Sequence, residues 1–302
     1  PLSTAVCLAA LYCALSLFKA FDTNKEVFVE KIFTDTKQTE LSSKDIDAIG
    51  FSMSFEMDFL GVFKILEKND IPFYAKDRDE THPIVFSGGF VMTSNPEPYC
   101  EFFDVIMIGD GEEKFDIMAD ILKNNKHKSK SEILDIFSQK EGFYVPSKTK
   151  YIPQTRQVLT LDNKEFKVQK SHYPLKKCVH TTILSEKSYF KNTFIIEIER
   201  GCPQRCGFCL ASYLNYPVRF LPFEEITKLI DFGLNYTNKI ALLGAGVALH
   251  PDFEKICEYI SQKINEGKDI ELSVSSLRAD SVSDKVFQTL TKAQQRTATI
   301  AI

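Results

Sequence analysis

Two rhythms alternate along this chain. Short apolar runs rich in β-branched and aromatic residues read as strands, and longer stretches with apolar residues three and four apart read as helices. Leu8, Leu11, Leu15 and Phe18 stand at helical spacing and predict a helix over residues 1–20. Strands are expected at 27–33, 46–52, 71–74, 83–86 and 104–108, with helices over about 57–68, from about 112 to 122, and over about 131–139. Strands alternating with helices predict a parallel α/β sheet whose ligands sit at the carboxyl ends of the strands. Residues 147–192 carry scattered charge and no sustained period, and read as a linker with one or two hairpins, including Gln157-Val158-Leu159-Thr160.

The rhythm restarts at Phe194. Strands are expected at 194–199, 239–243, 270–275 and 297–302. The helices between them begin near Pro222, near Pro251 and after Ser281, which is placed to cap the last one. This order predicts the first half of a β/α barrel, with its loops at the carboxyl face. The domains expected are therefore 1–140, a linker over 141–192, and a half-barrel over 193–302.

At 302 residues, 44% hydrophobic and 26% charged, the composition is that of a soluble globular protein. The formal net charge of −4 provides no global basic field for nucleic acid. The basic run from Asn124 to Lys130 reads as a solvated loop. Residues 1–20 lack the basic start of a signal peptide and make a poor membrane span, so a buried helix is expected. The start at Pro1 and the end at Ile302 inside an apolar run read as a piece of a longer protein. Of the eight cysteines, Cys7, Cys13, Cys100, Cys178 and Cys257 are scattered, a pattern of a reducing cytoplasm and not of a disulfide scaffold.

Cys202, Cys206 and Cys209 are different. They follow the first strand of the second half at Cys-x3-Cys-x2-Cys spacing, in a loop opened by Gly201 and Pro203. Thiolates are soft ligands for zinc or iron–sulfur clusters. A closed structural zinc site takes four protein ligands, and ordinary ferredoxin clusters use four cysteines. Three thiols on one loop leave one iron of a four-iron cluster open to a small molecule. The spacing alone also fits zinc completed by His250 or Cys257.

This loop, with Phe208 before its last cysteine, resembles the cluster loop of the radical S-adenosylmethionine (SAM) enzymes. The resemblance implies a [4Fe–4S] cluster on Cys202, Cys206 and Cys209 and SAM as cofactor. One electron then cleaves SAM to methionine and a 5′-deoxyadenosyl radical that abstracts hydrogen from substrate. It places Phe208 near the adenine. It also implies an electron donor such as a reductase, flavodoxin or ferredoxin. Gly244-Ala245-Gly246 lies where the family carries Gly-Gly-Glu; the glutamate is missing, so only backbone contacts to SAM are implied. Ser276 and Arg278 match the family's third-strand segment, where arginine and serine meet the SAM carboxylate or ribose. A simple strand-ending turn and a surface ion pair are the plainer alternatives at these two places. Glu197 and Glu199 both sit on the first strand, and alternation does not say which face is theirs.

The first half resembles the Rossmann-like cobalamin-binding domain that precedes the barrel in one radical SAM subgroup. The matching residues are His82-Pro83, Gly88-Gly89, Asn95-Pro96-Glu97 and Gly109-Asp110-Gly111-Glu112. They make Gly88, Gly89, Gly109 and Gly111 the candidate cobalamin contacts. The Asp-x-His-x-x-Gly motif that supplies cobalt's lower ligand is missing. Either cobalamin binds without a histidine, or the domain keeps the fold and has lost the cofactor; the second is preferred. The fold class expected is α/β: a Rossmann-like parallel sheet, then a truncated radical SAM β/α partial barrel. Cobalamin would suggest methyl transfer to carbon or phosphorus. A tRNA methylthiotransferase would need further cluster cysteines that are not seen. The rivals of another class are a structural zinc or cluster module and a corrinoid-binding sensor. Substrate and product are not legible.

Overall fold

The computed structural model describes residues 46–176, 180–186, 190–275, 277–295 and 297–301. The helix expected over 1–20, the strand over 27–33, and Cys7, Cys13, Cys178 and Ser276 lie outside the described residues. The chain forms two compact units, with the boundary between Tyr173 and Pro174. Among the described residues no helix is long and apolar enough to cross a membrane.

In the first unit the order is β1 (Ala48–Ser52), α1 (Phe59–Lys68), β2 (Ile84–Gly88), α2 (Phe90–Ser94), β3 (Val105–Met107), α3 (Glu112–Asn124), α4 (Lys130–Ser138) and β4 (Phe143–Tyr144). The four strands form one sheet in the order β1-β2-β3-β4. The first three are parallel, and β4 adds an antiparallel edge to the sheet expected to be parallel. Every residue of β2 is buried, as a strand with layers on both faces requires. One layer gathers Ile49, Phe51, Leu66, Met92 and Phe103, and the other Val105, Phe115, Phe137 and Phe143. The Ser129 hydroxyl and the Glu132 side chain form a capping box that starts α4. A hairpin of β5 (Thr149–Ile152) and β6 (Gln157–Thr160) follows.

Residues 71–74 are not the strand their apolar run predicts; they run into a 3₁₀ turn at Ala75–Asp77. Pro72 has no N–H to give a ladder. The Pro72 and Phe73 carbonyls instead accept from Arg78 Nη1 at 2.8 and 3.0 Å.

In the second unit the order is β7 (Phe194–Glu197), β8 (Glu199–Arg200), α5 (Leu210–Leu214), β9 (Arg219–Phe220), α6 (Phe223–Gly233), β10 (Lys239–Leu243), α7 (Phe253–Asn265), β11 (Glu271–Val274), β12 (Leu277–Arg278), α8 (Asp284–Lys292) and β13 (Ile300–Ala301). Strands β7, β10 and β11 form a parallel sheet in the order β11-β10-β7. Helices α6, α7 and α8 bury Ile226, Ile230, Ile256, Ile260, Val286 and Leu290 in a core shared with Ile196, Ile240 and Leu272. β12 pairs with β13 in parallel, apart from that sheet. No closed barrel forms among the described residues. Ser281 does not cap α8. Its hydroxyl donates to the Arg278 carbonyl at 2.8 Å, and the cap is Ser283, whose hydroxyl accepts from the Val286 amide.

Candidate functional site

The cysteine loop leaves the sheet at the carboxyl end of β7. It is pinched at its base by the two-stranded ribbon β8–β9, which sets Glu199 opposite Phe220 and Arg200 opposite Arg219. Gly201 turns the chain at φ +89°, and a Cβ there would lie 2.5 Å from the Asn215 carbonyl oxygen, so the turn needs glycine. Inside the loop the Cys209 amide donates to the Cys206 carbonyl at 3.0 Å. Tyr213 Oη donates to the Arg205 carbonyl at 3.0 Å, and the Arg205 guanidinium lies 4.2 Å from the centre of the Tyr216 ring.

Cys202 is buried, Cys206 and Cys209 are half-buried, and all three are free thiols. The Ser212 side chain and amide, together with the Ala211 amide at the start of α5, hold the Cys209 thiol below its ordinary range. No three His, Cys, Asp or Glu side chains among the described residues stand close enough to share one metal ion. The two residues that would complete a zinc site are used elsewhere. His250 is buried, with Nε2 2.9 Å from the Leu221 carbonyl oxygen and Nδ1 accepting from the Asp252 amide at 3.1 Å. Burial pulls its pKa down. Cys257 lies in the core of α7, where burial pushes its thiol up to about 12.

Phe208 is 92% exposed. Arg278 ends β12 in a bidentate ion pair with Asp280, at 2.9 and 2.8 Å. Asp280 raises its pKa, and Cys206 and Cys202 nearby raise it further when they carry the thiolate charge. The third-strand arginine is thus both the exposed ion pair and a neighbour of the cysteine loop. The Gly244-Ala245-Gly246 turn follows β10, and Ser275 Oγ donates to the Gly244 carbonyl at 3.2 Å.

The residues least legible in the sequence are two buried carboxylates. Glu197 and Arg200 form a buried pair, with Nε to Oε1 at 3.0 Å and Nη2 to Oε2 at 2.7 Å. Glu199 is 1% exposed, and neither of its oxygens has a hydrogen-bond partner. Burial pushes its pKa up to about 7; the Gly246 amide approaches and offsets this in part, without closing a hydrogen bond of good geometry. The only signal in the sequence was the density of charge in Glu197-Ile198-Glu199-Arg200, within an otherwise apolar strand.

A pH dependence follows. Glutamate ordinarily ionises near 4.5, and Glu199 in the folded, ligand-free protein near 7. Between these values the folded state binds more protons than the unfolded one, so stability falls as pH rises through this window. The loss is on the order of 3 kcal/mol. Urea unfolding at pH 5 and pH 8 should show this fall in the wild type, reduced by that amount in Glu199→Gln. An equal fall in both proteins would refute it.

In the first unit the candidate glycines are close to the chain's own atoms. Gly89 has φ +100°, and a Cβ there would lie 2.7 Å from the Met53 carbonyl oxygen. Gly109 has φ +92°, donates to Thr93 Oγ1 at 2.9 Å, and leaves no room for a Cβ beside the Ser171 carbonyl. Gly88 ends β2 against Met107, and Gly111 caps α3 against Phe115.

Residues 9–146 match the family model described as Radical SAM proteins, N-terminal, and residues 196–302 match that of the Radical SAM superfamily. The uncharacterized protein MJ0966 of Methanocaldococcus jannaschii is 28% identical over 299 residues, covering 98% of this chain and 56% of its own length. The chain therefore spans little more than half of that relative. Among solved structures, the cobalamin-dependent S-adenosylmethionine radical enzyme OxsB, with aqua-cobalamin and S-adenosylmethionine bound, is 18% identical with a TM-score of 0.48. It covers 83% of this chain and 34% of its own. The radical S-adenosylmethionine methyltransferase TsrM from Kitasatospora setae is 12% identical with a TM-score of 0.48, over 82% of this chain and 46% of its own.

Proposed function

We propose that this chain, which belongs to the radical SAM superfamily, is the part of an enzyme that binds a [4Fe–4S] cluster and cleaves S-adenosylmethionine reductively. The observation that carries the reading is three free thiols on one ribbon-pinched loop at the carboxyl end of a parallel strand. The donor set fits the group: soft ligands, two of them half-buried, with the Arg278 charge beside them. Cys202, Cys206 and Cys209 would hold the cluster. Once bound and reduced, it would supply the electron for cleavage of SAM to methionine and a 5′-deoxyadenosyl radical.

The chain's own residues bind and orient. The backbone of Gly244, Ala245 and Gly246 offers polar groups to the methionyl end of SAM. Arg278, with Ser276, suits its carboxylate or ribose, and Phe208 offers an aromatic face to the adenine. The Glu197–Arg200 pair holds the base of the loop, and the apolar core beneath excludes water. A flavodoxin, ferredoxin or reductase would deliver the electron. No cobalamin step is part of this reading, because the sequence lacks the Asp-x-His-x-x-Gly motif that would supply cobalt's lower ligand.

The test is anaerobic reconstitution of the full-length protein with iron and sulfide, then addition of dithionite and SAM. About four irons per chain and formation of 5′-deoxyadenosine are expected. Stoichiometric zinc, with no cluster and no SAM cleavage, would sink the reading.

A further inference from the structure

The Gly244–Gly246 turn is built around a carboxyl group. A Cβ on Gly244 would lie 2.9 Å from Glu199 Cβ and 3.2 Å from Oε2, and one on Gly246 would lie 3.5 Å from Oε1. Glycine at both ends lets bare backbone lie against Glu199. Ser275, at the end of β11, holds this turn through the Gly244 carbonyl. Three neighbouring elements thus converge on a buried carboxyl whose two oxygens have no well-formed hydrogen bond, the Gly246 amide approaching without closing one. Folding alone does not account for such a group, because a buried acceptor left unpaired is a net cost. The guanidiniums of Arg200 and Arg278 are committed to other carboxylates, Glu197 and Asp280.

What satisfies Glu199 must bring N–H or O–H donors, and preferably positive charge. S-adenosylmethionine carries two cationic groups at this end. The sulfonium has no hydrogen to donate, whereas the ammonium has three N–H donors. We propose that Glu199 is a ligand-binding carboxylate that receives the ammonium of S-adenosylmethionine at the Gly244–Gly246 turn. The assignment rests on the SAM-binding reading above. The carboxylate comes from β8, three residues before Cys202, and meets the turn that follows β10. A charge-assisted hydrogen bond formed away from water is stronger than one at the surface. The ligand's charge thereby compensates a carboxylate that the empty protein holds at a cost.

Three probes separate the alternatives. S-adenosylmethionine has ammonium and sulfonium. S-adenosylhomocysteine keeps the ammonium but has a neutral sulfur. 5′-Methylthioadenosine keeps adenine, ribose and sulfur but lacks the methionyl ammonium and carboxylate. Their Kd values would be measured by equilibrium dialysis on the full-length, cluster-reconstituted protein, for wild type, Glu199→Gln and Glu199→Asp. Iron content and near-ultraviolet circular dichroism would verify that each variant is folded. In Glu199→Gln, SAM and S-adenosylhomocysteine should both weaken roughly 10- to 100-fold. 5′-Methylthioadenosine should stay within about twofold of wild type, and Glu199→Asp should recover part of the loss. Weakening of SAM alone would move Glu199 to the sulfonium and overturn the assignment. Equal weakening of all three probes, or of none, would overturn it too, leaving Glu199 a positioning or structural residue. A wild type that holds its cluster and binds no SAM would instead defeat the functional reading on which the proposal stands. If Glu199→Gln fails to fold, Glu199→Asp with the same three probes decides.

Discussion

Replacing Cys202, Cys206 or Cys209 with alanine, one at a time, should reduce iron in the reconstituted full-length protein from about four per chain to near background. 5′-Deoxyadenosine formation should be lost with it. The effect is expected to be all or nothing, because the three thiols share one loop and a cluster held by two of them is left open at two irons. Cys100→Ala and Cys257→Ala are the controls. Both thiols are pushed up to about 12 by burial, and Cys257 lies in the apolar core of the second unit. These variants should keep their iron and their SAM cleavage while losing some stability. Iron counts and product yield from the five proteins, prepared side by side, check the assignment. Iron retained by any of the three loop variants would contradict it.

The second large effect lies in the first unit and concerns stability. Arg78 and Asp104 are both buried, with Nε to Oδ2 at 3.1 Å. The Arg78 guanidinium also donates to the carbonyls of Pro72, Phe73 and Phe102. Asp104 Oδ2 accepts from the Val85 amide at 2.8 Å and lies 3.4 Å from Lys130 Nζ. The pair therefore joins the irregular 72–78 segment to the edges of β2 and β3. Burial lowers the Arg78 pKa, and the Asp104 charge opposes that shift. Asp104→Ala should leave a guanidinium buried without its counter-charge and cost about 3–5 kcal/mol. Arg78→Ala should cost somewhat less, on the order of 2–4 kcal/mol, since three carbonyls lose their donor while Lys130 and the Val85 amide still face Asp104. Replacing both with apolar residues of similar volume should recover much of the loss, because burying the pair is itself costly. Urea unfolding midpoints would show this. A cost below about 1 kcal/mol for either single variant would mean that water reaches the pair, as it does in exposed ion pairs.

Much of the fold was legible because it is local. The β-branched run 194–197 and the apolar stretch 239–243 declare strands through backbone preference, and β7 and β10 form there. The amphipathic spacing of 253–265 declares α7. Gly201 and the three cysteines mark a loop by composition and spacing within a few residues. The failures had local causes that tertiary contacts overrode. Residues 71–74 are apolar enough for a strand, but Pro72 and the distant Asp104–Arg78 pair draw them into another path. Ser281 and Ser283 are equivalent caps by residue type, and the Arg278 carbonyl engages one of them.

The sequence by itself therefore determined the α/β order, the thiol triad and its place after a strand, because each depends on neighbours within one turn or one loop. Only the tertiary structure decided what the polar residues do. It set Glu197 on Arg200, left Glu199 unpaired against Gly244 and Gly246, withdrew His250 and Cys257 from the cysteine loop, and brought Arg278 close to Cys202 and Cys206. The pKa and pairing of a buried group depend on what lies within a few ångströms in space. Gly244 and Gly246 beside Glu199, and Leu221 beside His250, lie tens of residues away along the chain, and even the three-residue Glu197–Arg200 pairing depends on how the chain turns.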